Sequence, residues 1–135
     1  MRVVIDTNCL LQILGAHSQY NFLLDKFLDE KFTLCISTDI LLEYEEILKE
    51  KASPVAADMF LKMISRSRNV VHKDPFYRLG LIEQDPDDNK FTDCAFASQT
   101  SVIVTNDNHF RELEKIDFPL FRVMTLAEFA DAMKS

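Results

Sequence analysis

RVVIDTN, residues 2–8, begins with the unbroken apolar run Val3, Val4 and Ile5 and ends in three short polar side chains, Asp6, Thr7 and Asn8. The run is too short for a helix and does not alternate, which is how a strand buried on both faces reads. A second stretch of the same kind, SVIVTND at 101–107, carries Val102, Ile103 and Val104 into Thr105, Asn106 and Asp107. Two buried strands that each hand over to a carboxylate predict a parallel sheet covered by helices, with acids at the carboxyl ends of its strands.

The intervening sequence supplies the layers. NCLLQIL and YNFLLDKFLDEK read as two helices broken near Gly15, the second with Phe22, Leu23, Leu24, Phe27 and Leu28 at helical spacing. FTLCI at 32–36 is a strand, and Ser37, Thr38 and Asp39 start a helix with Ile40, Leu41, Tyr44, Ile47 and Leu48 on its apolar side. Pro54 suits the first turn of the next helix, whose buried side is expected to carry Val55, Met59, Met63 and Ile64, with Arg66 and Arg68 near its C-terminal end. NVVH is a third strand, residues 73–87 an irregular loop, and DPDDNKFTDCAFASQ a closely packing helix. A short helix around HFRELEK, a strand in PLFRV and a terminal helix TLAEFADAM capped by Thr125 complete the chain. The expected fold is three-layer α/β/α, with a central parallel sheet of about four to five strands.

Composition narrows the function classes. A chain of 135 residues can bury about two-thirds of its unfolded surface, so one domain over 1–135 that needs no disulfide or structural metal is expected. Cys9, Cys35 and Cys94 are odd in number and sit among apolar neighbours, which reads as buried thiols of a cytoplasmic protein. No apolar run approaches the roughly 20 residues of a membrane span, and no basic region followed by an apolar core opens the chain. The net charge of −7 argues against a polyanionic partner. That argument reverses locally if carboxylates surround divalent cations.

Either Asp6 or Asp107 alone is explained as a helix cap or turn residue. Together, at one edge of neighbouring strands, two carboxylates repel unless compensated, and Mg2+ or Mn2+, one or two ions, is the simplest compensator for oxygen ligands. Asp88 shares an edge with the buried stripe Phe91 and Ala95 of its helix, Asp87 borders that stripe as a supporting position, and Asp93 is expected to face solvent. Of the acids in STDILLEYEEIL, helical geometry does not separate Glu43 from Glu45; Glu43 is nearer the end of the preceding strand.

VVIDTNCLL, STDILLEYEEIL, DPDDNKFTDCAFA and VIVTNDNHF, in this order and at these separations, resemble a PIN domain over essentially the whole chain. The compact bacterial group to which the chain is most similar comprises toxin components of toxin–antitoxin pairs, relatives of the VapC toxins. The resemblance implies a metal-dependent ribonuclease. Position by position, Asp6, Glu43, Asp88 and Asp107 match the four acids of the family, and Glu43 is thereby preferred to Glu45 and Asp88 to Asp93. Thr7, Asn8, Ser37, Thr105 and Asn106 match polar positions that hold the acids or a bound water. An RNA substrate, an antitoxin partner and a homodimer are likewise implied. The sequence departs from the common pattern at Asn106, where a glycine is frequent, and at the QTS turn before that strand. Neither change removes a carboxylate.

Two rivals follow from the same residues. A PIN-like module that binds RNA or protein without cleaving needs the fold but not the chemistry. An Asp-nucleophile phosphatase or a phosphoacceptor receiver also uses acids after a first strand, but the phosphatase wants a second Asp where Asn8 stands. The receiver wants an acceptor Asp after a middle strand and a Lys at a later strand end.

Overall fold

In the computed structural model, strands β1 (Arg2–Ile5), β2 (Thr33–Ile36), β3 (Val70–His72), β4 (Val102–Val104) and β5 (Arg122–Met124) form one parallel sheet in the order β3-β2-β1-β4-β5. The structure describes residues 1–76, 89–100, 102–108, 110 and 122–134. β1 is central: Val3 lies opposite Leu34 of β2, and Val4 and Ile5 lie opposite Ile103 and Val104 of β4. All three apolar residues of β1 are essentially inaccessible, as a strand covered on both faces requires.

Six helices flank the sheet among the described residues: α1 (Thr7–Leu14), α2 (Phe22–Leu28), α3 (Thr38–Lys51), α4 (Pro54–Arg66), α5 (Asn89–Ala97) and α6 (Leu126–Met133). This is the three-layer α/β/α arrangement expected from the sequence. Local chemistry sets the helix starts. Ser37 caps α3 by accepting the Ile40 N–H at 3.2 Å, Ser53 caps α4 ahead of Pro54, and Thr125 and Glu128 form a reciprocal capping box on α6. Phe129 of α6 packs edge-on against Phe32 beside β2, with ring centroids 5.0 Å apart, and ties the last helix to the core. No helix among the described residues is long and apolar enough to cross a membrane.

One expected face is corrected. On α4, Val55 and Met59 are 68% and 66% exposed, whereas Ala57, Phe60 and Ile64 are buried. The stripe is one step round the helix because α4 packs closely on α3, where Ala57 leaves room and Phe60 meets Tyr44 edge to face at 5.8 Å. Counting only large apolar residues overlooks such a small contact residue. The PLFRV strand begins at Arg122 among the described residues, and the HFRELEK stretch apart from Phe110 and most of the loop at 73–87 lie outside them.

Candidate active site

Chain direction across the sheet reverses at β1 and β4: connections run from β1 outward through β2 and β3 on one side, and through β4 and β5 on the other. In parallel sheets the crevice beyond the carboxyl ends at such a point is where ligands bind. The last rung between the two strands is the Asp6 N–H donating to the Val104 carbonyl at 3.0 Å, and the chain then leaves both strands at this crevice.

Asp6 caps α1 and also meets β4. Its Oδ1 accepts the Cys9 N–H at 2.9 Å, while the Thr105 hydroxyl donates to Oδ2. Thr105 Oγ1 in turn accepts the Asp107 N–H at 3.0 Å, so one hydroxyl orients both strand-end acids. Asn106 Oδ1 accepts the Leu126 N–H at 3.0 Å, fixing the same turn to the start of α6. Beyond it, Phe110 is fully buried and packs against Phe91 of α5 at 6.3 Å, which anchors the segment following Asp107.

Glu43 arrives from α3. Thr7 donates to its Oε2, and Lys90, in the first turn of α5, holds its Oε1 at 2.6 Å. The two side chains of that ion pair are only 18% and 23% exposed. Tyr44, the next residue, is completely buried and donates to the Ile5 carbonyl, so α3 is fastened to the end of β1 on both sides of Asp6. Helical spacing marks Tyr44 as core, and its hydroxyl adds a further demand, since a buried phenol needs an acceptor. Glu45 instead pairs with Lys49 at 3.7 Å along the outside of α3.

Asp6, Thr7, Asn8, Glu43, Ile47, Phe91, Asn106 and Asp107 together line one cleft of about 460 Å³. Of the other candidates, Ser37 is buried in its capping role, and Asp87 and Asp88 lie outside the described residues. Asp93, expected to face solvent, is only 2% exposed. The reason is that α5 packs on β1, β2, β4 and α3, and Phe91 through Ala95 are all buried, so a helix with a single buried stripe is the wrong description. Arg66 and Arg68 line a different groove with Leu28 and Met59, and Lys73 belongs to a third hollow beside Phe76.

The donor set in the cleft is carboxylate, hydroxyl and amide oxygen, without imidazole or thiolate, which suits a hard divalent cation. Cys9 lies beneath it, but burial and the nearby Asp6 charge push its thiol well above the usual range and keep it neutral. Among the described residues no three His, Cys, Asp or Glu side chains are gathered closely enough to hold an ion as they stand. Glu43 is engaged by Lys90 and Thr7, and Asp88 is not among those residues.

The sequence matches the family model described as PIN domain over residues 2–109. No curated protein matches it. Among solved structures the fold is similar to VapBC2 from Rickettsia felis bound to a DNA fragment from their promoter, with a TM-score of 0.62 at 18% identity over 93% of this chain and 98% of that one. DNA-bound VapBC from Salmonella typhimurium gives 0.60 at 21% identity over 93% and 98%. Mycobacterium tuberculosis VapC20, a Sarcin-Ricin loop cleaving toxin, gives 0.58 at 14% identity over 81% and 92%. At these identities the likeness is one of fold, and the family match covers most of the sequence together with β1, α3, α5 and β4, the elements around the cleft. The chain belongs to the PIN domain family.

Proposed function

We propose that the protein is a metal-dependent endoribonuclease, the toxin of a type II toxin–antitoxin pair, which hydrolyses RNA phosphodiester bonds in the cleft between β1 and β4. The observation that carries this reading is the convergence of Asp6, Glu43 and Asp107, from three separate elements, on one oxygen-lined cleft at the reversal point of the sheet. Family membership and the VapC-like fold support it.

Asp6, Glu43, Asp88 and Asp107 would hold one or two Mg2+ or Mn2+ ions. Bound there, such an ion supplies an activated water at neutral pH and positive charge against the developing phosphate charge. The rest of the work falls to the chain itself. Thr105 orients Asp6 and fixes the backbone of Asp107, Thr7 sets the direction of Glu43, and Ile47 and Phe91 wall the cleft. No side chain need act as nucleophile. The same cations offset the acidity that otherwise disfavours RNA. An antitoxin covering the acidic cleft, a homodimer and a cytoplasmic setting, with its buried free thiols kept reduced, complete the reading.

The test is to incubate pure protein with single-stranded and structured RNA in Mg2+ and in Mn2+, beside Asp6→Asn and Asp107→Asn. Cleavage that depends on the cation and falls at least about 100-fold in both variants is expected, the scale of losing a group that stabilises a transition state. Cleavage persisting in both would overturn the mechanism. RNA binding without cleavage in the parent protein would favour the non-catalytic binding module.

A further inference from the structure

The ion pair between Glu43 and Lys90 is unusual in position. It is largely buried, it is short at 2.6 Å, and its acid is one of the carboxylates lining the cleft. A mostly desolvated ammonium and carboxylate hold each other firmly, because removing either leaves the other charge uncompensated. Glu43 Oε2 already accepts from Thr7, and Lys90 covers Oε1. A cation that draws on this carboxylate therefore meets a resident positive charge at the same oxygen.

We infer that Lys90 is a built-in counter-ion of the cleft, which neutralises Glu43 when no divalent cation is present and must give up that contact for the cation to bind. This deepens the metal-dependent reading and rests on it. Lysine suits the part: its charge is a compact point on a flexible four-carbon stem, which can swing away without unfolding the helix that carries it. The device keeps an acid-rich crevice from repelling itself, and it makes cation occupancy a competition with an internal charge.

The experiment is a Mn2+ titration without RNA, followed by the paramagnetic resonance of the free ion, on the full chain and on Lys90→Gln, Lys90→Met and Lys90→Arg. Removing a unit charge this close to the site should tighten Mn2+ binding about ten-fold in K90Q and K90M, as Coulomb attraction at an effective protein dielectric allows. K90R should stay near the parent value. In a Glu43→Gln background the further change K90Q should have a clearly smaller effect on affinity, because the contested carboxylate charge is gone and only the direct repulsion between Lys90 and the ion remains. Parent-like or weaker Mn2+ binding in K90Q and K90M, with the parent chain binding normally, overturns the inference and leaves the metal site standing. No Mn2+ binding by the parent or any variant overturns the site and the inference together. A wild-type measurement guards against variants that fail to fold: the Lys90 ammonium signal in a nitrogen-15 spectrum should shift during Mg2+ titration with the midpoint of ion binding. A signal that stays unchanged at saturating Mg2+ contradicts the exchange.

Discussion

The two carboxylate oxygens of Asp6 are spent differently: Oδ1 accepts the Cys9 N–H at the start of α1, whereas Oδ2 takes the hydroxyl of Thr105 at the end of β4. A carboxylate has about four lone-pair sites, so both bonds leave acceptor capacity facing the cleft. The capping and functional readings of this residue are therefore compatible. Tyr44 is the complementary case, a side chain whose bulk fills the core and whose hydroxyl holds the Ile5 carbonyl. Tyr44→Phe keeps the packing but leaves that buried acceptor short of a partner, which costs about 1–3 kcal/mol. Urea unfolding should show this as a lower midpoint with an unchanged slope, since the surface exposed is the same. An unchanged midpoint would mean that the hydroxyl does not hold α3 to β1.

At the level of elements, the strands and helix starts were legible because they rest on local rules. Apolar runs closed by polar triplets marked β1 and β4, and Ser37, Pro54 and Thr125 marked three helix beginnings. What periodicity could not tell was which side of α4 met α3, or that Phe91 through Ala95 of α5 were all buried, because both depend on neighbours distant in sequence. Glu43 was separable from Glu45 by family resemblance alone; in the structure the difference is that Thr7 and Lys90 reach the first, and Lys49 the second. The start of α3 has a second anchor that no sequence rule suggested. Asp74, just past β3, accepts the Thr38 N–H at 2.7 Å and the Thr38 hydroxyl at 2.9 Å, with His72 beside them. These donors hold its carboxyl below the usual value of 3.8. A carboxyl held low in the folded state stabilises that state above pH 3.8, and the contribution is lost as pH falls through the depressed native value. Asp74→Ala should thus lower the melting temperature at neutral pH, with the difference from the parent shrinking as pH drops below 3.8. A difference that is constant with pH would assign the effect to packing instead of charge.

For the whole molecule, the organising fact is that a parallel sheet whose order reverses at its centre brings the ends of β1 and β4 side by side. Buried strands form that centre, α3 is held to the end of β1 through Tyr44, and α5 joins α3 through the Lys90–Glu43 pair. In the proposed function, acidic crevice, cation and RNA form one chain of dependence, in which the cation is the link on which the others rest. The most direct measurement is a crystal of the protein soaked in Mn2+ and examined at a wavelength where manganese scatters anomalously. A peak in the cleft, about 2.0–2.6 Å from oxygens of Asp6 and Asp107 and within reach of Glu43, is the predicted result. Saturating Mn2+ that leaves this cleft without a peak, or that places its only peak elsewhere on the surface, would contradict it.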